Sequence, residues 1–223
     1  LGKAWREGDF DIFEGQFFTE FSTDIHVCEP FDIPDGWVKL RGIDPSGRAG
    51  ITSCHWYAVD QDGRIWVYRE YYGTGRDADE HARNIAKMSE GEVYRYTVMD
   101  TAAWSKLGLP ESIAEVYERC GVDGLVQASK NRVHGWDSVH RYLRTREDGK
   151  PGLVFFSNCG NMIRTLPALV HDELVPDDVD SDGEDHAADA LRYGLMHAFK
   201  GGGTASRNRG RLYMRPEGVV FSN

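Results

Sequence analysis

The chain contains 223 residues, of which 40% are hydrophobic and 12% aromatic, so it can form one sizeable core and is not generally disordered. No stretch approaches the roughly 18 consecutive apolar residues that span a bilayer, and no secretory signal is present, so we expect a soluble, intracellular protein without a membrane partner. Thirty-six acidic against 26 basic residues give a net charge of -10, which argues against DNA binding by a uniformly basic surface.

Residues 1–36 are rich in aromatic and acidic side chains but follow neither a helix nor a strand period. We therefore predict an irregular linker segment that packs its rings on a neighbour. The chain begins without Met, which suggests a fragment of a longer protein. The aromatic residues of this segment are Trp5, Phe10, Phe13, Phe17, Phe18 and Phe21.

Three strand patterns come next, at residues 37–44, 51–59 and 64–72, with a DQDG turn between the last two. β-Branched and aromatic residues dominate these runs, so they predict a three-strand antiparallel meander. Helix and strand patterns alternate after the meander. Helices are predicted at residues 77–88, 111–120, 136–143, 159–166 and 185–199, and strands at residues 93–100, 124–128 and 152–156.

The alternation predicts an α/β domain over residues 37–199, in which a mixed sheet continues from the meander into parallel strands and is flanked by helices. A Pro- and Asp-rich loop over residues 167–184 precedes the last helix. We predict a basic flexible tail for residues 200–223, because residues 200–215 carry five Lys or Arg and no acidic residue.

Two apolar strand patterns end on an aspartate. Asp44 closes the first strand before a Pro-Ser-Gly turn, and Asp100 closes the strand YRYTVMD before a turn and helix. Each residue could equally serve only its turn, Asp44 as a turn cap and Asp100 as an N-cap. If the two strands are parallel neighbours, both carboxylates meet at one edge, where a bound cation or a raised pKa must relieve their repulsion.

The last predicted helix supplies further candidate ligands in the motif DHAAD. Asp185 and Asp189 are one helical turn apart, and His186 and Asp189 occupy neighbouring positions on one face. A solvated acidic helix start, stabilised by the helix dipole, is the alternative. That alternative explains Asp185 better than Asp189, which lies a turn further into the helix.

Carboxylates from two strands and a helix are suited to a pair of Mg²⁺ or Mn²⁺ ions, which prefer oxygen ligands. Two such ions can activate a water and stabilise the leaving oxygen in phosphodiester hydrolysis. The competing chemistries are poorly supported, since the chain has no GxxxxGK[ST], GxSxG or HExxH motif. Its four cysteines form no CxxC pair, so we expect reduced, structural thiols.

The stretch SKNRVHGW follows a predicted strand and contains Lys130 and Arg132, which could contact a DNA backbone. A solvated basic loop is nearly as good an interpretation. Because their charge is opposite to that of a metal ligand, we expect these two residues to affect nucleic-acid binding only.

With these motifs, the sequence resembles the C-terminal nuclease domain of the large terminase subunit, the DNA-packaging motor of tailed bacteriophages. RGIDPSG and MDTAAW resemble the two catalytic strands of the family, and DHAADALRYGLM resembles its closing helix. The opening WREGDFDIFEGQFFTEF resembles the segment that joins the family's ATPase and nuclease domains. The resemblance covers nearly the whole chain, and the acidic residue followed by DALRY is its most specific part.

The resemblance implies an RNase H-like fold and a metal-dependent endonuclease that cuts concatemeric viral DNA at the start and end of packaging. It implies a catalytic, metal-binding triad of Asp44, Asp100 and Asp189, with Asp185 or His186 as further ligands. Double-stranded DNA, an ATPase domain in the same polypeptide, the small terminase subunit and the portal protein are the implied partners. The implied location is the cytoplasm of the infected bacterial host.

Two other functions remain open from the sequence. Another RNase H-like nuclease, such as a junction resolvase or a recombinase core, would share the acidic triad and would prefer branched DNA. A non-catalytic docking module of the packaging motor would use the acidic loop and the aromatic N-terminus for protein contacts.

Overall fold

The computed structural model describes residues 15–47, 50–106 and 108–198. Over these ranges the chain forms a seven-stranded sheet with the order β1-β7-β4-β3-β2-β5-β6. The strands are β1 (Val27–Cys28), β2 (Val38–Asp44), β3 (Ile51–Val59), β4 (Ile65–Thr74), β5 (Thr97–Met99), β6 (Leu125–Gln127) and β7 (Leu153–Phe156). The helices are α1 (Thr23–His26), α2 (Ala78–Met88), α3 (Ile113–Arg119), α4 (Arg132–Leu143), α5 (Gly160–Thr165) and α6 (His186–Ala198), with 3-10 turns at Thr101–Trp104 and Leu166–Ala168.

The sheet is mixed, as the sequence predicts. Strands β2, β3 and β4 form the antiparallel meander, and β5, β6 and β7 join it through parallel pairings. Helices cover both faces of the sheet. Consecutive side chains of a strand point to opposite faces, so neighbouring residues contact different helices. Trp56 donates a hydrogen bond to Ser89 beside α2, whereas Tyr57 donates one to the carbonyl of Ala190 in α6.

Residues 15–36 belong to the same core as the rest of the domain. Phe17, Phe18 and Phe21 are buried, and their rings pack on Trp136 of α4 and Phe155 of β7. Strand β1, which the sequence pattern does not indicate, extends the sheet by pairing parallel to β7. The aromatic rings of this segment therefore leave water by packing on residues of the domain predicted at 37–199.

Two predicted elements begin four residues away from where the structure places them, whereas the ends of the others agree within two residues. The strand predicted at residues 93–100 is limited to β5, and Val93 at its predicted start is 89% exposed. The helix predicted at residues 136–143 begins at Arg132, because the side chain of Asn131 accepts a hydrogen bond from the backbone N–H of His134 at 3.1 Å. The stretch interpreted as a basic loop is therefore a helix from Arg132 onward.

Some sequence-based expectations fall outside the described residues. They concern Trp5, Phe10 and Phe13, the last residue of the final helix, and the basic tail. Among the described residues, no helix has both the length and the hydropathy needed to cross a bilayer. All four cysteines are free thiols in the structure.

Close backbone packing sets the position of α6 on the sheet. A Cβ on Gly42 of β2 would overlap the carbonyl oxygen of Ala190, and a Cβ on Gly194 would lie 2.6 Å from the ring of Tyr57. Only glycine at both positions lets helix and strands approach this closely. This contact fixes how far the first turns of α6 stand from the end of β2.

Candidate functional site

Asp44 and Asp100 stand at the ends of neighbouring strands. Asp44 is the last residue of β2, and Asp100 directly follows β5. The two strands run parallel with Ile43 opposite Met99, so the chain leaves both at the same edge of the sheet. The structure therefore brings these two aspartates together, as expected for parallel neighbours.

Helix α6 adds two further carboxylates to this edge. The backbone carbonyl of Asp185, just before α6, accepts the N–H of Asp189 at 2.8 Å. Both side chains are buried, so they do not form a solvated helix start. Asp44, Asp100, Asp185 and Asp189 line one cavity of about 380 Å³, which we term the carboxylate cavity. Its other lining residues are Thr101, Ala128, Ser129, Lys130, Arg132, His186, Arg192 and Tyr193.

A second groove, of about 780 Å³, is also lined by the strand-end aspartates. It shares Asp44 and Asp100 with the carboxylate cavity and continues past Leu109 to Ile113 and Val116 of α3. These two aspartates therefore line both openings.

The strand-end carboxylates accept hydrogen bonds from protein groups. His186 Nδ1 lies 2.8 Å from Asp44 Oδ2. Asp100 accepts the Tyr193 hydroxyl at 2.6 Å on one oxygen and the backbone N–H of Ala102 at 2.6 Å on the other. Asp100 thus caps a 3-10 turn and lines the cavity at the same time, so the two interpretations of this residue are compatible.

Two arginines hold the carboxylates of α6. Arg192 donates from Nε and Nη2 to Asp189 Oδ1 at 3.0 and 2.8 Å. Arg132 donates from Nη1 to Asp189 Oδ2 at 3.2 Å and from Nη2 to Asp185 Oδ2 at 3.0 Å. The expectation that the basic residues are independent of the candidate metal ligands is therefore wrong for Arg132, because its positive charge pairs with two of those ligands.

The electrostatic environment of Asp44 disfavours its charged form. Burial raises the pKa of Asp44 to about 6 and outweighs the opposing hydrogen bond from His186, and the negative charges of Asp189 and Asp100 add to the rise. The hydrogen bond to Asp44 raises the pKa of His186. Burial also raises the pKa of Asp189 in spite of its arginines. Burial therefore raises the pKa of two of the four carboxylates that line the cavity.

A buried carboxylate elsewhere in the fold shows the contrast. Glu70 accepts hydrogen bonds from His55, from the backbone and side chain of Asn161, and from the backbone of Met162 at 2.7–3.0 Å. Burial raises the pKa of Glu70, but these donors outweigh it and the pKa is lowered overall. The fold thus fully satisfies a structural carboxylate, whereas it places Asp44 among other carboxylates.

The donor chemistry of the carboxylate cavity fits a hard divalent cation, since Mg²⁺ and Mn²⁺ prefer carboxylate oxygens. Among the described residues, however, no group of three or more His, Cys, Asp or Glu side chains is already arranged to hold a metal ion. In the structure, oxygens of Asp44, Asp185 and Asp189 lie within hydrogen-bond distance of His186 or Arg132.

The sequence interpretation missed three residues that shape the cavity: Asp178, Arg192 and Tyr193. The signal for two of them is present, because Arg192 and Tyr193 follow Asp189 by three and four residues and so share its helix face. Asp178 carries no such signal. It accepts Arg132 Nε at 2.6 Å and Trp136 Nε1 at 2.7 Å across a loop of irregular backbone.

A known protein resembles this chain along most of its length. The large terminase subunit of Escherichia phage T5 is 23% identical over 210 residues, which cover 87% of this chain and 44% of that protein. The chain thus spans less than half the length of this relative. No family model matches the chain.

Solved structures show the same fold. The nuclease domain of the P22 large terminase aligns with a TM-score of 0.65 at 16% identity, over 83% of this chain and 93% of that domain. The large terminase nuclease of the thermophilic phage G20c with bound magnesium aligns with a TM-score of 0.57 at 12% identity, over 84% and 98%. The chain therefore has the RNase H-like fold of large-terminase nuclease domains, and the resemblance drawn from its motifs is confirmed.

Proposed function

We propose that this chain is a metal-dependent DNA endonuclease that cuts concatemeric viral DNA during genome packaging. The observation that carries the proposal is the meeting of Asp44, Asp100 and Asp189 in one cavity at the end of two parallel strands. The likeness to a T5 large terminase subunit and to a magnesium-bound terminase nuclease supports the same activity.

In this proposal Asp44, Asp100 and Asp189 would hold two Mg²⁺ or Mn²⁺ ions, and Asp185 or His186 would add a ligand. The ions would activate the attacking water and stabilise the leaving oxygen of the phosphodiester. Arg192 and Tyr193 keep the carboxylates of Asp189 and Asp100 in place by hydrogen bonds. Burial around these groups excludes bulk water and strengthens every charge interaction in the cavity.

Lys130 and Arg132 would seat the DNA backbone at the rim of the carboxylate cavity, which both residues line. Since the chain carries a net charge of -10, neutralisation by metal and contacts from other domains must supply part of the affinity. We therefore propose weak and relatively unspecific cutting by this chain alone. Its partners in the proposal are double-stranded DNA, the ATPase domain of the same polypeptide, the small terminase subunit and the portal protein, in the host cytoplasm.

The proposal predicts that Asp44→Asn or Asp100→Asn abolishes plasmid cleavage in Mg²⁺ or Mn²⁺, with a loss of at least about 100-fold, because a charged oxygen ligand is removed. The change keeps the size of the side chain, so circular dichroism should show an intact fold. Asp62→Asn, at the hairpin end opposite the cavity, is the matched control and should cut like the unmodified chain.

Plasmid cleavage, cleavage of four-way junctions and DNA binding together decide between the candidate functions. Cleavage by either variant at the level of the control would contradict the assignment of the carboxylates. Strong preference for four-way junctions over linear duplex would favour a junction resolvase. DNA binding by the unmodified chain without cleavage in either metal would favour the docking module.

A further inference from the structure

Arg132 stands at the centre of an acidic cluster. It begins α4, and its guanidinium donates to Asp178 Oδ1 at 2.6 Å, Asp185 Oδ2 at 3.0 Å and Asp189 Oδ2 at 3.2 Å. One cation thus bridges three carboxylates that come from the loop before α6 and from α6 itself. Two of these carboxylates are candidate metal ligands.

Arg192 contacts the same aspartate in a different way. Its side chain is 5% exposed and takes Asp189 Oδ1 with two nitrogens, while its guanidinium lies 5.0 Å from the ring of Trp136 and 4.5 Å from that of Tyr193. A Cβ on Gly135 would overlap the Cγ of Arg192, so the backbone of α4 also confines this side chain. Arg192 is a fixed part of the core.

The side chain of Arg132 is 26% exposed, and its contacts to Asp185 and Asp189 are longer than its contact to Asp178. It covers Asp189 Oδ2, the oxygen that Arg192 leaves open. Since Arg132 lines the carboxylate cavity, its charge competes directly with any cation that enters. Both guanidinium groups lie near the ring of Trp136, that of Arg132 at 5.2 Å, but Arg132 is the more exposed of the two arginines on Asp189.

We propose that Arg132 is an internal counter-ion that a divalent metal displaces from Asp185 and Asp189, and that the released guanidinium then contacts the DNA backbone. The proposal rests on the metal-dependent nuclease function proposed above. It adds a coupling, because the positive charge becomes available to phosphate only after the metal has entered. Metal binding and DNA binding then strengthen each other by the same factor.

The first test is the affinity for Mn²⁺, measured by calorimetric titration of the 223-residue chain. Arg132→Gln should bind Mn²⁺ about tenfold more tightly, because the competing cation is gone. Lys130→Gln removes the same charge from the same cavity and is the control, with a much smaller gain expected. Equal or weaker binding by Arg132→Gln relative to Lys130→Gln would overturn the proposal. Absence of Mn²⁺ binding by the unmodified chain would refute the proposed function as well.

The second test is the salt dependence of binding to linear duplex DNA, measured by fluorescence anisotropy. In Ca²⁺, the plot of log affinity against log salt concentration should be less steep by about one unit for Arg132→Gln than for the unmodified chain. This is the value for one lost phosphate contact. In EDTA the two slopes should agree, because Arg132 is then held by carboxylates. The same difference in slope under both conditions, or none in Ca²⁺, would overturn the coupling.

The third measurement is the melting temperature, which still tests the proposal if Arg132→Gln fails to fold without metal. Arg132→Gln should melt at a lower temperature than the unmodified chain in EDTA, since three carboxylates lose their cation, and should gain more from Mn²⁺. Arg132→Lys keeps one charge but cannot bridge three carboxylates, so its gain from Mn²⁺ should lie between the two. Equal gains in all three proteins would contradict displacement of Arg132 by the metal.

Discussion

The hydroxyl of Tyr193 orients the side chain of Asp100. Tyr193 lies one helical turn beyond Asp189 on α6. The hydroxyl donates to Asp100 Oδ2 at 2.6 Å, and the ring is buried with Val98 and Ala128. A group that hydrogen-bonds a metal ligand fixes its orientation, and loss of such a group weakens metal binding about 10- to 100-fold. In the proposed function, Tyr193 is therefore a positioning residue that acts through Asp100.

We expect Tyr193→Phe to weaken Mn²⁺ binding about tenfold in a calorimetric titration, because Asp100 loses a donor while the ring remains packed. The matched control is Tyr68→Phe, which removes a hydroxyl that donates to Glu92 at 3.0 Å, outside the carboxylate cavity. Tyr68→Phe should leave Mn²⁺ affinity unchanged. An unchanged affinity in Tyr193→Phe as well would show that the hydroxyl does not position Asp100.

Single residues differ in how far their roles can be predicted from sequence. Asp44 and Asp100 are accessible to prediction because a strand period and the following turn are local signals. The pairing of Arg132 with Asp178 is not, since it depends on how an irregular loop folds back over α4. Interactions across 46 residues leave no trace in a local pattern.

At the scale of elements, α6 and β2 together determine the geometry of the candidate site. Gly42 lies two residues before Asp44 and directly beneath Ala190, the residue after Asp189. The close approach of helix and strand at this point sets the separation of the two carboxylates. The packing contact and the candidate metal site therefore depend on the same few atoms.

We expect Gly42→Ala to destabilise the protein by about 1–3 kcal/mol, because the new methyl group overlaps the backbone of α6. It should also weaken Mn²⁺ binding, since α6 must move away from β2. Urea unfolding and a metal titration measure the two effects. Gly160→Ala is the control, because a Cβ there meets open space, and its stability should be equal or slightly higher. Stability of Gly42→Ala equal to that of the control would contradict this role of the contact.

The elements also show which parts of the fold the sequence could predict. Strand β3 has the predicted bounds because it is rich in β-branched and aromatic residues and the DQDG turn follows it directly. Strand β1 has two residues, and its pairing with β7 joins segments more than a hundred residues apart. Such a strand is defined by its partner and not by its own pattern, so it could be found only in the structure.

At the scale of the whole molecule, much of the positive charge already contacts acidic side chains or backbone carbonyls of the protein. In the region between residues 127 and 164, Arg132, Arg144 and Arg164 pair with acidic side chains, and Arg146 donates to backbone carbonyls. A basic stretch in the sequence therefore overstates the charge available to DNA. In the proposed function, the attraction for phosphate comes instead from the metal and from Arg132 once it is released.

We propose above that Asp44, Asp100 and Asp189 hold divalent metal. The most direct test is a crystal structure of the protein grown in Mn²⁺, with anomalous diffraction data. We predict two manganese peaks roughly 3.5–4 Å apart in the carboxylate cavity, with Asp44 between them. The guanidinium of Arg132 should have left Asp185 and Asp189. Absence of manganese from the cavity at saturating Mn²⁺, with Arg132 still bound to both aspartates, would contradict the account.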